Sequence, residues 1–126
     1  MRAHLDTHVA IWLVMGAKKR LRGVERSLRR AALFVSPVVV VEMEFLREIG
    51  RINEPVEKIM EILTEDHGVQ QARGELADVG REARLLGWTR DPFDRFIVAH
   101  AIADGATLFT ADATIREHCP LARWDE

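Results

Sequence analysis

Cysteine is almost absent from this sequence, because Cys119 is the single cysteine among 126 residues. A chain with one cysteine forms no internal disulfide, and it fits a reducing compartment such as the cytosol. Internal repeats, low-complexity tracts and linker-like segments are also lacking. A length of 126 residues fits one domain, so we expect residues 1–126 to form a single domain.

Long apolar runs are missing as well, and a helix that spans a bilayer needs about 20 such residues. The nearest approach is residues 9–16, which lie between Arg2 and the basic residues 18–20, much as in a signal peptide. However, Asp6 and His8 interrupt the approach to this run, and no small-residue cleavage site follows it. We interpret the run as the first helix of a cytoplasmic protein that has no membrane association.

Charge is unevenly distributed along the chain, although its net value is only −2. Residues 18–30 contain seven lysines and arginines against Glu25 alone, which makes this segment +6 and the remainder −8. The small net charge argues against a general nucleic-acid binder. A basic helix beside an acidic remainder could still receive a polyanion at one place. A solvated helix face explains the same pattern, and both interpretations stay open.

Short apolar strands alternate with helices along the chain. The pattern predicts strands at residues 1–5, 33–35, 69–71, 107–110 and 121–124. It predicts helices at residues 7–15, 18–31, 36–49, from 55, 75–86, 91–103 and from 112. This alternation predicts an α/β fold with a mainly parallel central sheet and helices on both faces.

Three aspartates come at the end of a predicted strand or in the first turn of a helix: Asp6, Asp94 and Asp112. Ligands of open α/β sheets bind beyond the carboxyl ends of the strands, and a parallel sheet would bring these acids together. Helix capping is the competing explanation, since Asp is a favoured N-cap. Asp91, followed by Pro92, fits that explanation best, and Asp94 could complete a capping box with it.

Glu42 is harder to explain as a structural residue, because it falls within an apolar helical stripe. The stripe consists of Val38, Val41, Phe45 and Ile49. An ionised carboxylate on an apolar face is costly unless it is paired or bound to a metal. Arg47 and Arg95 are candidate partners, but one buried acid together with three acids at strand ends is typical of a site.

A cluster of four carboxylates needs a cation to offset the repulsion among its charges. Oxygen ligands without cysteine favour Mg²⁺ or Mn²⁺ over zinc. Carboxylate clusters that hold such ions typically hydrolyse phosphodiesters, because the ions polarise the phosphate and generate a hydroxide-like nucleophile.

Four segments in this order resemble the PIN domain, and in particular the VapC-like toxins of prokaryotes. They are Leu5-Asp6-Thr7-His8, Ser-Pro-Val-Val-Val-Val-Glu at residues 36–42, Asp-Pro-Phe-Asp-Arg-Phe-Ile-Val-Ala at residues 91–99, and Leu-Phe-Thr-Ala-Asp at residues 108–112. The resemblance covers essentially the whole chain. It implies a PIN-like three-layer α/β/α sandwich and an Mg²⁺-dependent endoribonuclease, with Mn²⁺ as a possible substitute. It also implies an RNA substrate, a cognate antitoxin and a homodimer.

Carried over by position, the resemblance implies a set of metal ligands that are also the catalytic acids: Asp6, Glu42, Asp94 and Asp112. Asp91 matches a commonly acidic position, and we interpret it as a cap or as a support for the ligands. Thr110 matches a small polar position near the pocket. Candidate substrate contacts are Thr110, Arg90, Arg95 and Arg116. The expected reaction is hydrolysis of RNA by metal-activated water, without a histidine or lysine as general base.

The histidines leave two questions open. His100 could line the pocket or be a buried, hydrogen-bonded side chain, and the second interpretation is favoured. His4 and His8 lie near Asp6 and raise the alternative of a transition metal such as zinc, which the all-oxygen acid set disfavours.

Two other functions compete with the nuclease. A magnesium-dependent phosphatase of the common type is disfavoured, because Asp6 is not followed by a second Asp two residues later. A non-catalytic interaction module would use an apolar stripe formed by Ile52, Val56, Ile59, Met60 and Leu63.

Overall fold

The computed structural model describes residues 1–125. Its strands are β1 (Arg2–Leu5), β2 (Ala32–Val35), β3 (Gln70–Gln71), β4 (Thr107–Phe109) and β5 (Ala122–Arg123). They form one sheet in the order β3-β2-β1-β4-β5, and every pairing between neighbouring strands is parallel. The predicted α/β fold with a parallel sheet is therefore confirmed.

Helices connect the strands and cover both faces of the sheet, which gives a three-layer α/β/α sandwich. They are α1 (Thr7–Met15), α2 (Lys18–Leu21), α3 (Glu25–Arg30), α4 (Pro37–Glu48), α5 (Val56–His67), α6 (Leu76–Ala83), α7 (Pro92–Ala103) and α8 (Ala113–His118). Among residues 1–125, no helix has both the length and the apolar character that crossing a membrane requires.

Helices α4 and α7 begin as their sequences predict. The Ser36 side chain accepts a hydrogen bond from the Val38 amide, and Pro37 fills the first helical position. The first turn of α7 repeats this arrangement with Asp91 and Pro92. A side-chain cap satisfies an amide that has no partner within the helix, and proline has no such amide, so both residue types favour a helix start.

Two predicted helices differ from the structure. The basic segment 18–31 is not one helix, because it divides into α2 and α3 around Gly23, whose φ of 93° lies in the left-handed region. Glycine adopts this conformation at little cost, and it ends the helical geometry there. The helix predicted at residues 75–86 ends at Ala83, and residues 84–85 form a turn.

The apolar stripe predicted on α4 faces outward rather than into the core, apart from Val38, which is half-buried against the core. Val41, Phe45 and Ile49 are 59%, 46% and 52% exposed, whereas Val39 and Met43 are fully buried. Four successive valines make every side of the first turn apolar, so the pattern did not distinguish the buried side. Glu42 therefore lies between the buried and exposed faces of α4, not in the middle of a buried stripe.

The register of the sheet sets the position of the acidic residues. Strands β1 and β4 are neighbours, with Leu5 opposite Phe109, and the Asp6 amide extends their ladder by a 3.0 Å hydrogen bond to the Phe109 carbonyl. Leu5, Phe109 and Leu108 are completely buried and hold both strands in the core. The residues that follow β1 and β4 therefore emerge side by side at the carboxyl edge of the sheet.

Candidate active site

An acidic pocket of about 400 Å³ opens at the carboxyl edge of the sheet. Its lining is formed by Asp6, His8, Val9, Glu42, Asp91, Asp94, Ala111 and Asp112. All four predicted ligand acids are in this set, although they come from four separate segments of the chain. Among residues 1–125, no lysine or arginine lines the pocket, so the pocket concentrates negative charge.

Asp6 is buried directly after β1, and hydrogen bonds hold both of its carboxylate oxygens. Oδ1 accepts from the Thr7 amide at 2.8 Å, and Oδ2 accepts from the Thr110 hydroxyl at 2.6 Å. Burial raises the pKa of Asp6, while the bonds from Thr110 and Thr7 act in the opposite direction. The carboxylate orientation is thus fixed by groups that favour its ionised form.

Glu42 projects from the middle of α4, and its partner is a hydroxyl rather than an arginine. Thr7 Oγ1 donates to Glu42 Oε1 at 2.5 Å. The arginine pairing considered from the sequence does not form, since Arg47 bonds to Glu44 and Arg95 bonds to the Thr89 carbonyl. Burial raises the pKa of Glu42, and the charges of Asp6 and Asp91 raise it further.

Asp94 lies in the first turn of α7 and does not act as a cap. The predicted capping box is absent, because the Asp91 amide donates to Thr89 Oγ1 instead of to Asp94. Asp91 is the cap of α7, with Oδ1 accepting from the Phe93 and Asp94 amides at 2.8 and 3.2 Å. Burial, followed by the nearby carboxylates with Asp91 first, raises the pKa of Asp94 to about 7.

Asp112 caps α8 with one oxygen, since its Oδ1 accepts from the Ile115 amide at 3.0 Å. The Asp112 amide donates to Thr110 Oγ1 at 3.1 Å, and the same hydroxyl donates to Asp6. Thr110 is completely buried. Its hydroxyl therefore links the segment that follows β4 to the carboxylate that follows β1.

The predicted cationic substrate contacts surround the pocket without lining it. Arg95 donates from Nε to the Thr89 carbonyl at 2.8 Å, and Arg116 donates to the Ala111 carbonyl at 3.3 Å. These two arginines stabilise the loops that carry Asp91 and Asp112. Arg90 is exposed and forms no hydrogen bond or ion pair within residues 1–125.

His100 is a buried, hydrogen-bonded side chain, as the favoured interpretation expected. Its Nε2 faces the Arg73 carbonyl at 3.0 Å, and its Nδ1 faces Ser36 Oγ at 2.8 Å. A carbonyl only accepts, so Nε2 carries the proton and Nδ1 accepts from the Ser36 hydroxyl. His100 thereby connects α7, which carries Asp94, to the cap of α4, which carries Glu42.

His4 is not part of the pocket lining, whereas His8 is. The Nε2 atom of His4 lies 2.9 Å from Asp104 Oδ2, and burial lowers the pKa of His4.

Thr7 is the residue that the sequence analysis missed. It stands inside the quoted segment Leu5-Asp6-Thr7-His8, but its contact with Glu42 joins residues 35 positions apart, and no local pattern reveals such a contact.

The donor set fits a hard divalent cation. Capping uses Oδ1 of Asp112, but no hydrogen bond within residues 1–125 engages its Oδ2 or the Asp94 carboxylate. In this part of the chain, no group of three or more acidic, histidine or cysteine side chains is arranged so that it could hold a metal ion as placed. Uncompensated carboxylates repel one another, and a cation between them would offset that repulsion.

These features define an α/β protein with a carboxylate pocket at the carboxyl edge of its parallel sheet. Residues 3–119 match the PIN domain, so the chain belongs to the PIN domain family. Among solved structures, it is similar to VapBC2 from Rickettsia felis bound to a DNA fragment from its promoter. The TM-score is 0.72 at 18% identity, over 99% of this chain and 100% of the other. The curated proteins contain no match.

Proposed function

We propose that this chain is a divalent-metal-dependent endoribonuclease and the toxin of a toxin–antitoxin pair. The observation that carries the proposal is the meeting of four carboxylates from separate segments in one pocket. Capping and ion pairing account for neither Asp94 nor Glu42. Membership of the PIN domain family and the similarity to a VapBC2 complex support the same conclusion.

Asp6, Glu42, Asp94 and Asp112 would hold the ion, with Mg²⁺ preferred and Mn²⁺ as a substitute. Bound there, the ion would supply positive charge that polarises the phosphodiester and lowers the pKa of the attacking water. The chain itself orients the carboxylates. Thr7 and Thr110 donate to Glu42 and Asp6, and these bonds orient both carboxylates and favour their ionised forms against the effect of burial.

The RNA backbone would meet arginines at the rim of the pocket. Arg90 is free to contact a phosphate, while Arg95 and Arg116 retain N–H groups beyond those that bond to carbonyls. Thr110 was also a candidate for substrate contact. Because Thr110 is completely buried between Asp6 and Asp112, we propose that it positions these acids instead.

A protein partner is the second part of the proposal. Val41, Phe45 and Ile49 are exposed on α4, the helix that carries Glu42, and the Phe45 ring lies 5.8 Å from that of Phe93. Such an apolar surface beside the pocket would suit an antitoxin or a second copy of the chain. We propose both partners, an inhibitory antitoxin and a homodimer, in a cytoplasmic protein that folds as a single domain.

The test is RNA cleavage by purified protein in Mg²⁺, in Mn²⁺ and in EDTA. We expect cleavage only with the metal. Asp94→Asn and Glu42→Gln should each lose more activity than the roughly 10- to 100-fold that removing a supporting partner costs. Asp78→Asn is the matched control, because Asp78 is exposed on α6 and contacts Arg81.

The same exposed apolar surface favours a non-catalytic interaction module as the second candidate. That candidate predicts no metal-dependent cleavage, and it predicts partner binding that Asp94→Asn leaves unchanged. Equal cleavage by wild type and Asp94→Asn would contradict the nuclease proposal. A phosphatase would instead release phosphate from small phosphomonoesters and leave RNA intact.

A further inference from the structure

A second charged surface lies outside the acidic pocket, and we call it the basic surface. It consists of the exposed side chains Lys18, Lys19, Arg20, Arg22, Arg26, Arg29 and Arg30. Glu25 is the only acid in the same segment, so residues 18–30 carry +6 while the other residues carry −8. Charge of the two signs is thus separated along the chain.

The cations of the basic surface are not neutralised by acids of the protein. Within residues 1–125 none of the seven forms an ion pair, whereas Arg47 and Arg81 elsewhere each pair with an acid three residues away. In the part of the chain that the structure describes, Arg20 is the member of the set with a ring contact, and its guanidinium lies 5.3 Å from the centre of the Trp12 ring. The positive charge remains available to a polyanion.

The core holds the backbone beneath these cations in place. Leu21, Val24 and Leu28 are buried, and they anchor α2, the intervening turn and α3. Left-handed glycines at Gly16 and Gly23, with φ of 64° and 93°, form the end of α1 and the turn between α2 and α3. A positively charged surface on an anchored backbone loses less entropy on binding than a disordered basic tail would.

The basic surface lies at the opposite end of the sheet from the acidic pocket. Helix α1 starts at the pocket and runs back towards the amino ends of the strands, where residues 16–31 lead into β2. The Ala32 amide bonds to the Met1 carbonyl at 2.8 Å and marks that edge. Nine residues of α1 extend roughly 13 Å, and this length sets the approximate distance between the two surfaces along the helix.

An acidic pocket alone repels a nucleic acid, so attraction must come from elsewhere on the protein. We infer that the basic surface binds the sugar–phosphate backbone of the RNA substrate at a distance from the scissile bond. This inference rests on the proposed function and narrows its substrate class. With phosphates roughly 3.4 Å apart along a stacked strand, a stacked RNA would need about five nucleotides to reach both surfaces.

The experiment measures binding separately from cleavage, in EDTA, with fluorescein-labelled RNAs of about 30 and about four nucleotides. The basic-surface variant combines Lys18→Gln, Lys19→Gln, Arg22→Gln and Arg26→Gln. The matched control combines Arg51→Gln, Lys58→Gln, Arg73→Gln and Arg84→Gln, four exposed residues elsewhere that give the same change in net charge. Circular dichroism verifies that both variants are folded.

We expect the basic-surface variant to bind the longer RNA at least about tenfold more weakly than the control. The slope of log affinity against log salt should fall by about 2 to 3, since each lost phosphate contact removes roughly 0.7. The four-nucleotide RNA offers fewer phosphates to the basic surface, so it should distinguish the two variants less than the longer RNA does. Equal affinity of both variants for the longer RNA would overturn the inference, and so would tighter binding of duplex DNA than of RNA at this surface.

Failure of this inference is distinguishable from failure of the proposed function. If the protein cleaves RNA with Mg²⁺ but both variants bind RNA equally well, the nuclease proposal stands and the inferred RNA contact at the basic surface is wrong. If the protein cleaves no RNA but only the basic-surface variant binds RNA more weakly, the inferred RNA contact stands and the nuclease proposal is wrong.

Discussion

Replacing Asp94 by Asn should stabilise the metal-free protein, although it should abolish the activity. Burial and the surrounding carboxylates raise the pKa of Asp94 from 3.8 to about 7. A pKa that is raised in the folded state means that ionisation opposes folding. The protonated form of Asp94 therefore contributes stability that is fully present at low pH. This contribution is lost as the pH rises from about 4 through about 7.

The size of this effect follows from the same shift. About three pKa units correspond to roughly 4 kcal/mol, but Asp94 is only half-buried, and solvent screening reduces this to about 1 to 2 kcal/mol. At about pH 8 in EDTA, Asp94→Asn should raise the free energy of unfolding by that amount, and the Tm by roughly 3 to 8 °C. The gain should shrink as the pH is lowered to about 5.

Thermal unfolding followed by circular dichroism measures this gain, with Asp78→Asn as the control. Mg²⁺ should raise the Tm of the wild type more than that of Asp94→Asn, because a ligand of the folded state stabilises it by mass action. A lower Tm for Asp94→Asn at high pH without metal would refute the electrostatic reasoning. A gain that does not change with pH would refute it as well.

Three further substitutions test the supports of the pocket. Thr7→Val removes the hydroxyl that bonds to Glu42 and should destabilise the protein by about 1 to 3 kcal/mol in chemical unfolding, while Thr7→Ser restores both stability and cleavage. Asp91→Ala should cost about 1 kcal/mol through loss of the α7 cap, whereas Asp91→Asn should unfold at nearly the wild-type denaturant concentration. His100→Leu leaves the Ser36 hydroxyl and a backbone carbonyl without their partner, so a loss of about 1 to 3 kcal/mol is expected in the same assay. If His100→Leu left the free energy of unfolding unchanged, water would have replaced the imidazole as the partner of these groups.

Features with local signals were predictable from the sequence. Helix α7 shows this best, because an N-cap at Asp91, a proline at the first helical position and Gly105 beyond its end are all read within one segment. The positions of Asp6 and Asp112 followed from the rule that parallel strands end at one edge of the sheet. The meeting of Asp6 and Asp112 therefore followed from the strand pattern, whereas the position of Glu42, in the middle of α4, did not.

Tertiary contacts and the choice between similar faces were not predictable. The valines at residues 38–41 present an apolar side chain on every side of α4, so only packing against the sheet selects Val39 and Met43 for burial. The donors to Glu42 and Asp6 lie 35 and 104 residues away in sequence. Such pairs arise from the sheet register, and single-sequence periodicity carries no information about them.

The measurement that tests the central claim most directly is anomalous diffraction from crystals grown with Mn²⁺. The account predicts an anomalous peak within the acidic pocket, coordinated by oxygens of Asp6, Glu42, Asp94 or Asp112, and no such peak in crystals of Asp94→Asn. Crystals with no peak in this pocket at a saturating Mn²⁺ concentration would contradict the claim that these carboxylates form the metal centre of a nuclease.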